Sequence, residues 1–120
     1  MKEIIAIVRM NKVQRTRDAL AAKGYYSMTV KHVLGRGLQK GLSYELEGTP
    51  GPEYSAKPRL NYIPKRMILI VVTDDQEQEV VDIIIQVNQS GNIGDGKIFV
   101  SPVSEVIRIR TKETGERAIL

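Results

Sequence analysis

A chain of 120 residues with 42% hydrophobic and 27% charged residues is composed like one globular domain around a single core of ordinary size. It has no cysteine, which excludes disulfides and thiolate metal sites, and no apolar run near the ~20 residues that cross a bilayer. The start, Met1-Lys2-Glu3-Ile4-Ile5, lacks the long apolar segment of a signal peptide, so a cytoplasmic protein without membrane insertion is expected, and the net charge of +4 suits an anionic ligand or partner.

In chain order, Ile4-Ile5-Ala6-Ile7-Val8 is a continuous apolar run of strand length, the pattern of a strand covered on both faces. Asn11 is placed to cap a helix over residues 12–23, with Val13, Thr16, Ala19 and Leu20 on one side and Gly24 as the left-handed residue beyond its end. Residues 25–34 are rich in aromatic and β-branched side chains and predict a second strand. From Arg36 to about Asn61 there is no periodicity, and Pro50, Pro52 and Pro58 fall within it; connections of this length are usually functional. Strand character returns from Tyr62 to Val72, around Met67-Ile68-Leu69-Ile70-Val71-Val72. Asp74 and Glu77 have the spacing of a capping box, and Val80, Ile83, Ile84 and Val87 form one helical stripe. A glycine-rich stretch, Gly91-Asn92-Ile93-Gly94-Asp95-Gly96-Lys97, leads into a strand over 97–103. Val106-Ile107-Arg108-Ile109-Arg110 alternates with period two, a further strand with both arginines on one face, before a polar tail expected to be loose.

The order β-α-β-loop-β-α-β predicts a single ferredoxin-like α+β domain over 1–120, with the first and third strands central. Helices cover one face of such a sheet. The other face would carry Ile, Val and Leu from the central strands, so it is expected to pack against other subunits.

The glycine stretch fits a phosphate: three glycines in six residues let amides close around a group, and Lys97 adds a cation. It resembles a P-loop in spacing but not in kind. Ile98 stands where the magnesium-binding hydroxyl belongs, and the loop runs from helix to strand. Arg108 and Arg110 offer guanidinium forks matched to phosphate oxygens, and Gln39, bracketed by glycines, offers an amide oxygen to hydrated magnesium. Three anion-favouring features together point to a polyphosphate. No catalytic set can be assembled: His32 is the only histidine, and no carboxylate pair is marked out. An RNA-binding module shares the strand order, but the run Met67 to Val72 of the third strand carries no aromatic ring for stacking on bases.

Gly91 to Val100, Val106 to Thr111, Met28-Thr29-Val30 and Gly35-Arg36-Gly37 with Gln39-Lys40-Gly41 together resemble the PII nitrogen-signalling family over essentially the whole chain. The resemblance implies a non-enzymatic homotrimer that binds ATP or ADP in clefts between subunits. It also implies 2-oxoglutarate bound beside magnesium and ATP, with the loop over about 36–61 as effector arm and the one over about 90–97 as phosphate loop. Position by position, Ile7, Thr29 and Gly35 would line the adenosine pocket, and Gly94, Asp95, Gly96, Lys97, Arg108 and Arg110 would form the phosphate site. Gln39 would meet magnesium and 2-oxoglutarate, with Gly37, Lys40, Gly41 and Lys65 completing the 2-oxoglutarate site. Residues 104–120 would be the C-terminal strand and tail.

Leu69 departs from the family, standing where many relatives have a glutamate that reads the adenine amino group, and Leu38 replaces a frequent arginine. Pro58 occupies the place of the tyrosine uridylylated in some members, and the similar local sequence Gly51-Pro52-Glu53-Tyr54 lies at the wrong distance from Lys65. The longer loop, Tyr62-Ile63-Pro64-Lys65-Arg66 and Val87-Asn88-Gln89-Ser90-Gly91-Asn92 are more similar to the nitrogen-fixation branch. Members of that branch work in pairs of related chains and act on dinitrogenase. A PII protein acting on an ammonium transporter or a biosynthetic enzyme is the alternative, and a nucleic-acid module the distant one.

Overall fold

In the computed structural model, which describes residues 1–35 and 62–120, the apolar run near the start is the centre of β1 (Lys2–Arg9). The remaining elements are α1 (Val13–Ala22), β2 (Met28–Gly35), β3 (Ile63–Val72), α2 (Glu77–Asn88) and β4 (Lys97–Pro102). The expected effector loop, with Gly37, Leu38, Gln39, Lys40 and Gly41, lies outside the described residues.

The strands form one antiparallel sheet in the order β2-β3-β1-β4, the expected ferredoxin-like α+β arrangement with the first and third strands central. The pleat assigns each residue to a face. Ile4, Ala6 and Val8 of β1 and Ile68, Ile70 and Val72 of β3 are buried with Leu20 of α1 and Val80 and Ile84 of α2 in one core. Each Ile, Leu and Val among them contributes about 1.5–3 kcal/mol by leaving water, and Ala6 less. The alternate residues Ile5, Ile7, Met67, Leu69 and Val71 face the other side and are half-buried. Register places Ile5 between Leu69 and Phe99, so an apolar row crosses this open face, and Phe99 is 55% exposed.

The helix ends differ from the sequence reading in part. Gly24 takes φ +90° as expected, and the Gly24 and Tyr25 amides donate to the Ala21 and Leu20 carbonyls at 2.9 and 3.0 Å, closing α1 with a Schellman motif. Asn11 does not cap that helix: it sits within a 3-10 turn, Met10–Lys12, that leads directly into α1. The capping box lies one residue earlier than predicted, on Thr73 and Gln76, and the Thr73 amide donates to Gln76 Oε1 at 3.0 Å. Thr73 is the extended residue, at φ −73° and ψ 162°, whereas Asp74 already lies in the 3-10 turn, so the capping position falls on Thr73. The second strand begins at Met28 rather than residue 25, since the exit from α1 occupies Gly24 and Tyr25.

One polar pair joins the helices inside the core. Asn88, 5% exposed, donates from Nδ2 to Thr16 Oγ1 at 3.0 Å and to the Ile84 carbonyl at 2.9 Å, while Thr16 donates to the Lys12 carbonyl at 2.7 Å. Asn88 Oδ1 is buried with no hydrogen-bond partner among the described residues. Asn88 ends α2, so this pair fixes where the glycine loop departs. Asn88→Ala is expected to cost about 1–3 kcal/mol in urea unfolding. Thr16→Val should cost less in that background than in the wild type, because the two share one bond.

Candidate functional site

The chain leaves α2 with the Gln89 amide donating to the Ile85 carbonyl at 2.8 Å, then reverses through residues 90–96 to enter β4. Gly91, Gly94 and Gly96 take φ of 84°, 103° and 102°. Gly96 is constrained twice, because a Cβ there would lie 1.8 Å from the Ile7 carbonyl oxygen as well as being strained. The loop therefore lies directly on β1.

Asp95 holds the loop's interior. Its Oδ2 accepts from the Ser90 and Gly91 amides at 2.7 and 2.9 Å, and its Oδ1 accepts from the Ser90 hydroxyl and from Arg9 Nη1, the latter at 2.6 Å. Arg9 also donates from Nη2 to the Ile93 carbonyl at 3.0 Å. These contacts, the Ser90 hydroxyl foremost and Arg9 next, hold the Asp95 carboxyl far below the usual carboxylate range. Lys65, opposite Arg9 in the β1–β3 register, donates to the Gly94 carbonyl at 2.8 Å. It is 7% exposed, and burial, with Arg9 nearby, lowers its pKa against the smaller opposing pull of Asp95. Two strands thus each send one cation into the loop.

Ile7, Thr29, Gly35, Lys65 and Lys97 all lie on the open face; Ile7, Gly35, Lys65 and Lys97 are at or near the end where the glycine loop sits, while Thr29, paired with Leu69, lies toward the middle of the sheet. An added Cβ at Gly35 would come within 3.2 Å of Lys65 Cγ. Lys97 is exposed at the start of β4. Gly37, Gln39, Lys40 and Gly41 lie outside the described residues. Two expectations about the loop change. Its first amides are not free for an outside anion, since Asp95 takes those of Ser90 and Gly91. Arg9 also joins the cluster, although nothing marked it in the sequence except its place as the charged end of an apolar run.

Arg108 and Arg110 are elsewhere. Residues 106–110 are not a strand: a single bridge, Ile107 to Thr114, closes a turn in which the Lys112 amide donates to the Arg108 carbonyl at 2.8 Å. Lys112, at φ 62°, reverses the chain there, so the alternation is spent on a short hairpin. Arg108 donates to Glu113 Oε1 at 2.9 Å, the Arg117 carbonyl at 3.0 Å and the Leu120 main-chain oxygen at 2.6 Å. The tail is ordered as a 3-10 turn, Gly115–Ile119, and Leu120 borders a hollow with Tyr25, Val72 and Gln76. That is the opposite end of the sheet from Lys97: β4 runs from Lys97 opposite Ile7 to Pro102 opposite Lys2, and the Val103 amide then donates to the Met1 carbonyl. At about 3.3 Å per residue the strand separates the ends by ~17–20 Å. Within one chain, the glycine loop and the arginines do not meet.

A small ferredoxin-like domain with an open apolar sheet face and a cation-clamped glycine loop at one end is a binding module, and its relatives say of which kind. A profile of the family described as Nitrogen regulatory protein P-II matches residues 1–113. The chain is 49% identical to the nitrogen fixation nifHD region GlnB-like protein 2 of Methanobacterium ivanovii, with all of both chains covered. It is 51% identical to the nifHD1 region GlnB-like protein 2 of Methanosarcina barkeri, over 99% of each, and 48% identical to the nitrogen regulatory protein P-II of Klebsiella oxytoca, over 99% and 100%. Among solved structures, Arabidopsis thaliana PII bound to citrate superposes with a TM-score of 0.75 at 36% identity, over 98% of this chain and 88% of that one. The chain belongs to the P-II family. Proteins of this family are regulatory signal transducers rather than enzymes; they form oligomers and act on partner proteins.

The glycines of the loop should respond unequally to alanine. At Gly91 nothing lies within 4 Å of an added Cβ, so Gly91→Ala should cost only the left-handed strain, about 1–2 kcal/mol. Gly96→Ala adds a collision with the β1 backbone and is expected to exceed about 3 kcal/mol. Urea unfolding of the two variants checks the order.

Proposed function

We propose that this chain senses nitrogen, carbon and energy status by binding ATP or ADP and 2-oxoglutarate, and that it regulates a partner enzyme by direct contact. Dinitrogenase is the target we favour, because relatives 49% and 51% identical are named for nitrogen-fixation regions. The observation that carries the nucleotide reading is the glycine loop, pressed onto β1 at a position where only glycine fits and opening beside Lys97 on the face that also bears Ile7 and Thr29. A backbone free of Cβ beside a lysine suits phosphate oxygens.

In this reading Ile7, Thr29 and Gly35 line the adenosine side and Gly94, Gly96 and Lys97 take phosphate oxygens. Arg108 and Arg110 reach the same phosphates from another subunit, which reconciles their chemistry with their place at the far end of their own sheet. The apolar row through Leu69, Ile5 and Phe99 supplies the surface for such assembly, as a homotrimer or a mixed assembly with a related chain. Gln39 would meet magnesium, whose remaining ligands would come from the phosphates and 2-oxoglutarate; among the described residues no group of three carboxylates or histidines could hold a metal. Gly37, Lys40, Gly41 and the Lys65 ammonium would complete the 2-oxoglutarate site. The citrate on the Arabidopsis relative is a polycarboxylate on the same fold and supports an effector of this class. The general name of the Klebsiella relative keeps a transporter or biosynthetic enzyme as the second reading of the target. No described helix is long and apolar enough to cross a membrane; the partner would be met from the cytoplasm.

Calorimetry tests the site. Lys97→Ala and Arg108→Ala should each weaken ATP by about 1.5–3 kcal/mol while leaving adenosine nearly unchanged. Mixing the two variants under conditions of subunit exchange should restore roughly a quarter of the clefts to full affinity, since one subunit keeps the lysine and its neighbour the arginine. No recovery on mixing would place both groups in the same chain's site. Capture of dinitrogenase from a nitrogen-fixing extract, with its dependence on ATP, ADP and 2-oxoglutarate, tests the target.

A further inference from the structure

The glycine loop already contains an anion, and that anion is its own. Five donated bonds tie Arg9, Ser90 and Gly91 to Asp95 and Ile93, four of them to the Asp95 carboxylate. Two successive amides, a hydroxyl and a guanidinium around one point would otherwise form an anion-binding concavity. Asp95 follows Gly94 and precedes Gly96, so the backbone that carries it is the backbone whose close approach to Ile7 shapes the loop. Its side chain is 23% exposed and turned inward, toward the start of the loop and β1.

We propose that Asp95 is a positioning residue rather than a ligand group: it fills the inner nest of the loop with a built-in carboxylate, so that a phosphate is accepted only on the outer side, by the Gly96–Lys97 segment. This rests on the nucleotide reading above, departs from the expectation that put Asp95 in the phosphate site, and confines the phosphate to Gly96 and Lys97, the Gly94 carbonyl being held by Lys65. A ligand carboxylate would repel phosphate, whereas a carboxylate neutralised by Arg9 and by loop donors does not. It also assigns Arg9 to the loop and not to the ligand, leaving Lys97 as the cation that the described glycine loop presents to phosphate.

A carboxylate that only fills a nest can be replaced by one from solution, and this separates the proposal from a general role in folding. Asp95→Ala should lose about tenfold or more in ATP affinity with little change for adenosine. Sodium formate should restore most of that loss and raise the melting temperature of Asp95→Ala, with sodium chloride at equal ionic strength as control and the wild type unmoved. Asp95→Asn, whose amide fills the same space but cannot accept all four bonds, should bind ATP weakly and not respond to formate. If Asp95→Ala binds ATP as the wild type does, or is neither stabilised nor rescued by formate, the proposal is wrong. Should Asp95→Ala fail to fold, the same formate series on Asp95→Gly and the absence of rescue for Asp95→Asn decide the matter. A wild type that does not bind ATP, together with formate stabilisation of Asp95→Ala, would sink the nucleotide reading and leave the nest intact.

Discussion

The contact between Gly96 and the carbonyl of Ile7 sets the geometry of the whole functional end of the molecule. A side chain at residue 96 would have to occupy the space of that carbonyl oxygen, 1.8 Å from where its Cβ would stand. Because only hydrogen fits, the loop can settle on β1, and Lys97 then enters β4 opposite Ile7, which fixes the register through to Pro102 opposite Lys2. Arg9, two residues beyond Ile7 on the same face, comes within reach of Asp95, and Lys65 within reach of Gly94. β1 therefore serves two purposes by alternation: Ile4, Ala6 and Val8 build the core, while Ile5, Ile7 and Arg9 face the site.

The proposed assembly would account for two features of the described residues together. Phe99, Ile5 and Leu69 form an apolar row with no helix of the described residues over it. Arg108 spends its donors on Glu113 and on the main chain of its own tail, at the end of the sheet away from Lys97. In the proposed reading, a second chain would both cover the row and bring its arginines to the glycine loop. Oligomers are the habit of the family. The physical point is that burial of apolar surface, which is strong but without direction, can do the work of bringing distant charged groups into one cleft.

The sequence revealed most where a periodic pattern had only one structural use. Continuous apolar runs at Ile4–Val8 and Met67–Val72 have no place in a one-sided sheet except its centre, and they are central. Val80 and Ile84 are buried as the helical stripe requires, and the glycine loop lies where the spacing put it. Residues 106–110 misled because alternation is shared by a strand and by a short hairpin, and the positive φ of Lys112 that decides between them has no sequence signature in a lysine. The Asp95 clamp was illegible for another reason: its partner Arg9 is 86 residues away in the chain, and only the folded sheet brings it near. Asn88, inside an otherwise apolar seam, was hidden likewise until Thr16 stood opposite.

Lys65 is where these elements join. Its ammonium rests on the carbonyl of Gly94 in the glycine loop, and its stem lies against Gly35, the last residue of β2 before the long loop departs. Gly35 is paired with Ile63, the first residue of β3 after that loop returns. One side chain thus touches the stem of the long loop and the backbone of the short one. Burial and the Arg9 guanidinium make its charged form less comfortable than in water, and Asp95 offsets this only in part. An ammonium held that way gains from any further carboxylate brought to it. In the proposed reading, a ligand carboxylate at the Lys65 ammonium would compete with the Gly94 carbonyl for it. The two loops would then be coupled through Lys65, whose stem lies beside Gly35 and whose ammonium bonds to Gly94.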